Sequence, residues 1–164
     1  MAGRITASED QLRPDPKHND LVLSKFINCV MTDGKKTAAQ RCVYGAFDII
    51  DERLAKATDP DAPQSALEVF HMAIDNAKPY VEVRSKRIGG ANYQVPIQVN
   101  RKRQQALAFR WIIQAARSER GRPMAQRLAD EFVAAAKKEG KAMTTRDQTH
   151  RMAEANKAFA HFAK

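Results

Sequence analysis

The residues in this sequence best suited to chemistry are cations that occur in short groups. Each group lies beside residues typical of a turn or a helix start, namely Gly34, the pair Gly89 and Gly90, and Asn100. Arginine offers a phosphate a planar fork of N–H donors, and lysine offers a compact positive charge. The groups therefore predict anion binding by eight residues: Lys35, Lys36, Arg84, Lys86, Arg87, Arg101, Lys102 and Arg103.

The distribution of charge along the chain supports this prediction. The 164 residues carry a net charge of +9, and the isoelectric point is about 9.8. Residues 1–77 contain nine Lys or Arg against twelve Asp or Glu, whereas residues 78–103 contain seven against one. Residues 104–164 contain twelve against six. A strongly basic protein favours polyanionic partners, and here the basic character begins in the middle of the chain.

The cations also lie at unusual positions relative to the predicted helices. The N-terminal end of a helix is already partly positive, so cations there cost a few tenths to about 1 kcal/mol. Lys35 and Lys36 precede the second predicted helix, Arg101–Arg103 fill the first turn of the fourth, and Lys141 lies just ahead of the sixth. A docked phosphate makes the same placement favourable. We interpret it as an anion-binding surface, with solvated loop lysines as the alternative for Lys35, Lys36 and Lys141.

The stretch from Pro79 to Asn100 predicts an antiparallel β-hairpin. Two β-prone runs with alternating apolar residues flank a predicted turn at residues 89–92. Arms of this length could project about 20–25 Å, although an isolated two-stranded ribbon is only marginally stable in water. Tyr80 and Tyr93 could stack on nucleobases or form a cross-strand pair at the base of the ribbon.

Helical periodicity predicts a mainly α fold, a six-helix bundle with the hairpin projecting between helices three and four. Residues 1–19 read as an N-terminal extension, and residues 20–164 as one domain with a hairpin arm at 80–99. Acidic caps are expected for helices one and three, and Trp111 is expected in the core. The predicted helix starts are Asp20, Thr37, Pro63, Asn100, Pro123 and Thr144 or Thr145.

The sequence contains no convergent catalytic pattern. His18, His71, His150 and His161 lie far apart, and none has a cysteine or carboxylate at metal-ligand spacing. We therefore expect no enzyme, no metal, no cofactor and no small-molecule substrate.

The two cysteines and the lack of long apolar runs indicate the cellular compartment of the protein. Cys29 and Cys42 lie within apolar helical runs at a spacing unlike that of zinc sites, so we expect buried, reduced thiols. No apolar run reaches the length of a membrane span, and the N-terminus lacks the apolar segment of a signal peptide. These features predict a reduced, cytoplasmic setting without a membrane partner.

Four segments together carry a resemblance to a known family. They are K-F-I-N-C-V-M-T-D-G-K-K, V-E-V-R-S-K-R-I-G-G-A-N-Y-Q-V-P-I-Q-V, Q-A-L-A-F-R-W-I-I-Q-A-A-R and H-R-M-A-E-A-N-K-A-F-A-H. The chain resembles the bacterial ribosomal small-subunit protein seven family from about Leu12 to Phe162. The resemblance implies six helices and a β-hairpin, and a primary RNA-binding protein that nucleates folding of the head domain of small-subunit (16S) ribosomal RNA.

The resemblance also implies a position and partners. That position is the subunit interface of the ribosome, near the messenger exit and the exit-site transfer RNA, beside small-subunit proteins of the head and platform. By motif, the eight cations named above fall in stretches that face RNA. The hairpin tip and the last helix, including His150 and Arg151, fall where the family approaches transfer RNA and a neighbouring protein. The family's N-terminal arginine cluster is missing here, since Arg4 stands beside Glu9 and Asp10.

Two other functions are compatible with a basic ribbon on a helical bundle. A DNA-architectural protein could insert its β-arm into a groove, and this would need an apolar wedge, for which Ile88 is the candidate. A protein-interaction scaffold could instead use the helical faces. Competition between duplex DNA and structured RNA tests the DNA-architectural function. Loss of partner binding on nuclease treatment would argue against the scaffold function.

Overall fold

A computed structural model describes residues 12–56 and 63–163, and this part of the chain forms six α-helices and one β-hairpin. The prediction of a mainly α, six-helix bundle with an antiparallel hairpin between helices three and four is confirmed. The elements are α1 (Leu21–Val30), α2 (Lys36–Lys56), α3 (Ala66–Ala77), β1 (Val81–Ile88), β2 (Ala91–Gln98), α4 (Arg101–Ser118), α5 (Met124–Ala136), α6 (Lys141–Ala155) and a C-terminal 3₁₀ segment (Lys157–Ala163).

A cluster of phenylalanine rings forms the centre of the bundle. The rings come from five different positions on α1 to α5 and are almost fully buried, with contacting ring centroids 5.3–6.3 Å apart. They are Phe26, Phe47, Phe70, Phe109 and Phe132. Burying each such side chain contributes about 1.5–3 kcal/mol. Trp111 is also buried, as predicted.

The helix starts follow the local capping chemistry in some places and depart from it in others. Asp20 caps α1 by accepting a hydrogen bond from the Leu23 N–H at 2.5 Å, and Asn100 caps α4 through the Arg103 N–H at 2.9 Å. Both starts agree with the prediction. Helix α2 begins at Lys36, so Thr37 lies inside the helix rather than at its cap.

The third and sixth helices begin elsewhere than expected. Helix α3 begins at Ala66 with Ser65 as its cap, three residues after the predicted start at Pro63, and the expected cap Asp61 lies outside the described residues. Helix α6 begins at Lys141, before the predicted threonines. The hydroxyls of Thr144 and Thr145 donate to carbonyls four residues earlier, so both are helix-interior residues.

The segment before α1 packs against the bundle from residue 12 onward. Asp15 is only 2% exposed, and its carboxylate accepts hydrogen bonds from the backbone N–H groups of Lys17 and His18 and from the Tyr44 hydroxyl at 2.7 Å. Burial and this hydrogen bond raise the pKa of Tyr44 to about 12. The described part of the expected extension is thus anchored to α2, and residues 1–11 lie outside the described range.

The prediction of buried cysteines is wrong. Cys29 is exposed and Cys42 is half-buried, and both are free thiols. The core side of α1 is centred on Leu23, Ile27 and Val30, and at about 100° of rotation per residue Cys29 points to one side of it. An apolar run does not by itself reveal which of its members face inward.

The hairpin turn is tighter than predicted. Gly89 and Gly90 alone connect the strands, and both have positive φ, 58° and 89°, as a two-residue turn of the I′ type requires. The resulting register pairs Arg84 with Val95 and Val83 with Pro96. Directly opposed residues share a face, so Val81 and Val83 lie on one face of the ribbon, whereas Tyr93, Val95 and Ile97 lie on the other. Each face therefore combines the apolar residues of one strand with mostly polar residues of the other.

The ribbon is instead supported by α6 and the C-terminal segment. The Tyr93 ring lies 5.2 Å from Phe159 and 5.5 Å from Phe162, and Lys86 Nζ donates to the Phe162 carbonyl at 2.7 Å. Tyr80 stacks on a different partner, His150, at 5.9 Å and 26°. A Tyr80–Tyr93 cross-strand pair is therefore excluded.

We expect the double substitution Phe159→Ala and Phe162→Ala to loosen the arm while leaving the bundle folded. Each aromatic contact is worth about 0.5–1.5 kcal/mol beyond the area it buries, and the ribbon has little other support near its tip. Hydrogen exchange should speed up at the amides of residues 84–95. Met152→Ala, which removes an exposed side chain from α6, serves as the control. Unchanged exchange in the double variant would show that the C-terminal segment does not hold the arm.

Candidate nucleic-acid interface

Helix α4 positions most of the predicted site. Its 18 residues include five cations and no Asp or Glu, and it spans about 27 Å. Arg101–Arg103 occupy its first turn beside the hairpin, and Arg117 occupies its last turn. Each end of the helix meets a different set of the predicted cations.

At the hairpin end, one carboxylate joins two arginines. Glu82 is 7% exposed, and its two oxygens accept hydrogen bonds from Arg84 and Arg103, at 2.5 and 3.0 Å. Burial alone would raise the pKa of Glu82, but the two guanidiniums outweigh burial and hold its pKa below 4.5. Two predicted site residues are thus partly neutralised, yet the trio keeps a net positive charge.

The other predicted cations at this end lie near the surface. Arg101, Lys102 and Arg87 are exposed, and Arg87 pairs across the ribbon with Asn92 next to the glycine turn. Lys86 is half-buried and reaches the C-terminal segment, so it supports the arm as well as adding charge. The ribbon and the start of α4 form one positively charged region, which we call the hairpin cluster: Arg84, Lys86, Arg87, Arg101, Lys102 and Arg103.

Lys35 and Lys36 do not join the hairpin cluster. Both are exposed at the start of α2, close to the opposite end of α4, where Arg117 Nη2 donates to the Val30 carbonyl at 3.0 Å. The structure therefore separates the eight predicted cations into two groups, one at each end of α4.

Sequence reasoning missed an arginine between these groups. Arg110 is exposed, and it lies seven residues from both Arg103 and Arg117, so the three share one stripe of the helix. The signal that could have identified it is the seven-residue spacing in a helix without carboxylates. This stripe connects the two groups along the outer side of α4.

The placement of Lys141 has an internal explanation. Lys141 Nζ forms an ion pair with Glu119, and the buried Glu131 carboxylate accepts a hydrogen bond from the Ala142 N–H at 2.8 Å. Burial raises the pKa of Glu131. Two carboxylates of the chain itself thus serve the start of α6, so the expectation of an anion site at Lys141 is not supported.

His150 also has an internal role. Its Nε2 accepts a hydrogen bond from the Tyr80 N–H at 3.2 Å, which joins α6 to the start of the hairpin. Burial, followed by the nearby Arg146, lowers the pKa of His150, in keeping with a neutral acceptor. Arg151, the next residue, is exposed.

Within residues 12–56 and 63–163, no three His, Cys, Asp or Glu side chains group in a way that could hold a metal ion. The helices in the same ranges are too short or too polar to cross a bilayer. The cationic surface itself runs from the ribbon along α4 to the start of α2.

Comparison with known proteins agrees with this geometry. The profile of the family described as Ribosomal protein S7p/S5e matches residues 2–157. The chain belongs to this ribosomal protein family. It is 59% identical to small ribosomal subunit protein uS7 of Rhodopirellula baltica, covering 98% of this chain and 99% of that protein. It is 53% identical to the uS7 protein of Thermotoga neapolitana, covering 97% of each chain.

Membership in the S7p/S5e family fixes the broad function. The protein is a structural component of the small ribosomal subunit and not an enzyme. Its relatives are ribosomal proteins of bacteria, whose ribosomes are cytoplasmic, which confirms the predicted localisation. The resemblance drawn from the four sequence segments is likewise confirmed.

We expect Glu82→Gln to destabilise this S7-family protein at pH 7 by about 1–3 kcal/mol, because it removes a charge that accepts hydrogen bonds from two arginines. The folded-state pKa of Glu82 is lowered, so its contribution is present above pH 4.5 and is lost as the pH falls through that lowered pKa. Urea unfolding should therefore show a gap between wild type and variant that narrows in acid. Glu139→Gln is the control, because Glu139 is an exposed carboxylate that has no side-chain hydrogen bond or ion pair with the described residues. An equal loss in both variants would contradict the role of Glu82.

A second pH effect is expected from His150. Its folded-state pKa lies below 6.5, so its contribution is complete above pH 6.5 and is lost as the pH falls through the lowered pKa. His150→Gln should flatten the decline in the free energy of unfolding below pH 6.5. His161→Gln, which alters an exposed histidine of the C-terminal segment, should keep the wild-type decline. If both variants follow the wild type, protonation of His150 does not affect folding.

Proposed function

We propose that this protein is a primary ribosomal-RNA-binding protein that nucleates folding of the head domain of small-subunit (16S) ribosomal RNA. The observation that carries the proposal is the outer side of α4, a helix with five cations and no carboxylate. It runs from the hairpin cluster at one end to Lys35 and Lys36 at the other. A surface of this length can contact two RNA elements at once.

Electrostatics favours a nucleating role. Two RNA helices repel each other, and cations held between them offset that repulsion. Helix α4 is about 27 Å long, with the hairpin cluster at one end and the Lys35–Lys36 group near the other, so each group can contact the backbone of a different RNA element. Recognition of this kind depends on the shape of folded RNA and on its phosphates more than on base edges.

Preorganisation supports the same proposal. Arg84 and Arg103 are fixed by Glu82 before any partner binds, so less side-chain entropy is lost on binding. Since two guanidiniums share one carboxylate, positive charge remains for phosphate. Arg87 and Arg101 make no ion pair with any described residue and are available for direct contact.

The arm tip and α6 support the finer placement that we propose. A basic tip with a narrow Gly89–Gly90 turn suits approach to the exit-site transfer RNA and to the messenger near its exit. The exposed Arg151 on α6 suits a neighbouring small-subunit protein of the head or platform, or the transfer RNA itself. Because His150 is already bonded to the Tyr80 N–H, we assign it to positioning the arm rather than to direct contact.

The arm geometry favours RNA over a DNA-architectural function. A DNA wedge needs an apolar side chain at the outermost point of the arm. Ile88 is half-buried and pairs with Ala91, and the outermost residues are the two glycines. The arm therefore offers charge and a narrow turn instead of a wedge.

We expect the affinity for a head-domain RNA fragment to fall steeply with salt. The logarithm of the association constant should fall by about 0.7–0.9 per neutralised phosphate for each unit of log salt concentration. Arg87→Gln and Arg101→Gln should each weaken binding and reduce the slope by about that amount. Filter binding between 50 and 300 mM KCl measures both quantities.

Lys56→Gln is the matched control, because Lys56 is an exposed cation at the far end of α2 and makes no side-chain hydrogen bond or ion pair with described residues. It should leave the slope unchanged. Duplex DNA of equal length, used as a competitor, tests the alternative. Binding that is insensitive to salt, or that is competed equally by duplex DNA, would refute head-domain RNA as the specific ligand.

A further inference from the structure

A cleft of about 460 Å³ lies where the ends of α1 and α4 meet the starts of α2 and α5. Three cations line it, Lys35, Arg117 and Arg127, against the single carboxylate of Asp33. The small side chain of Ala39 leaves room at its base. Lys35 was predicted from the sequence as an anion-binding residue, whereas Arg117 and Arg127 are brought close to it only by the fold.

The two arginines are held in a way that preserves their charge. Arg117 Nη2 donates to the Val30 carbonyl at 3.0 Å and lies 3.4 Å from the Thr32 hydroxyl, and Arg127 Nη1 donates to the Glu119 carbonyl. A carbonyl fixes a guanidinium without neutralising it. In the described parts of the chain, neither arginine pairs with a carboxylate.

Several other cations of the molecule form ion pairs with carboxylates. Arg84 and Arg103 share Glu82, Lys141 pairs with Glu119, and Arg122 pairs with Asp130. The cleft is therefore a place where the fold gathers positive charge and does not cancel it. In addition, Arg127 Nε is enclosed and has no hydrogen-bond partner among the described residues.

We propose that this cleft binds a single phosphate group of the RNA backbone, with Lys35, Arg117 and Arg127 as its ligands. The inference rests on the RNA-binding function proposed above and adds a specific ligand and two residues to it. The partly apolar walls, which include Val30 and Met124, strengthen each charge–charge interaction relative to open water. The neighbouring first turn of α2 contains no acidic residue that would repel the phosphate.

The test begins with Lys35→Gln, because the exposed Lys35 side chain makes no hydrogen bond or ion pair with a described residue and its loss should not disturb folding. We expect the slope of log affinity against log salt for the head-domain RNA fragment to fall by about 0.7–0.9. Arg127→Lys keeps the charge but loses the fork of donors, and it should weaken RNA binding several-fold at constant salt. Lys56→Gln at the other end of α2 is the matched control and should match the wild type.

A second measurement distinguishes a phosphate of the RNA backbone from free phosphate. Inorganic phosphate, titrated into the free protein, should shift the NMR signals of the amides of residues 35–39, and it should do so less in Lys35→Gln. If phosphate shifts these amides but Lys35→Gln leaves the RNA slope unchanged, the cleft takes free anions only and the proposal is wrong. The cleft proposal is also wrong if phosphate does not shift these amides and Lys35→Gln does not change the RNA slope.

The two proposals fail in distinguishable ways. If Arg101→Gln lowers the RNA slope while Lys35→Gln does not, only the cleft proposal is lost. If the wild type itself binds the head-domain RNA fragment without salt dependence, or does not bind it, the RNA-binding function is refuted as well. Circular dichroism on each variant, compared at equal temperature, ensures that a weakened slope reflects the missing charge and not unfolding.

Discussion

The functional surface depends on the pair of hydrogen-bonded ion pairs that Glu82 forms with two arginines at the base of the hairpin. Glu82 belongs to β1 and accepts hydrogen bonds from Arg84 on the same strand and from Arg103 in the first turn of α4. It therefore ties the arm to the helix that carries the positive stripe. Because each face of the ribbon combines apolar residues of one strand with mostly polar residues of the other, its orientation depends on this link and on the aromatic contacts of the C-terminal segment.

The two ends of α4 hold their arginines by different chemistry. A carboxylate fixes the guanidiniums at the hairpin end and removes one unit of charge from the pair. Backbone carbonyls fix Arg117 and Arg127 at the other end and remove none. Burying part of a guanidinium requires that its N–H groups find acceptors, and a carbonyl meets that need at little cost to the electrostatic potential. Arginines at both ends of the surface are consequently held by hydrogen bonds, and each end keeps a net positive charge.

Features that depend on neighbouring residues in the chain could be predicted from the sequence. The glycine pair specified the hairpin, Asp20 and Asn100 specified the starts of α1 and α4, and apolar periodicity placed Trp111 in the core. Features that depend on tertiary packing could not. The acceptors of Arg117 and Arg127 are carbonyls supplied by other segments, and the side of α1 to which Cys29 points depends on how that helix packs. The cross-strand partners in the ribbon follow from a turn of two residues where the prediction had four, which shifts each pairing by two positions.

The spacing of three arginines along α4 limits their mutual repulsion. Arg103, Arg110 and Arg117 recur every seven residues, which separates them by about 10.5 Å along the axis. This distance is about one Debye length at 0.1 M salt, so their mutual repulsion is largely screened in the free protein. A phosphate in direct contact with one of them is far closer than a Debye length and is screened much less. The repulsion among these arginines therefore destabilises the free protein only slightly, while each arginine retains its attraction for a phosphate. Carboxylates on the same helix would have neutralised that attraction without a comparable gain in stability.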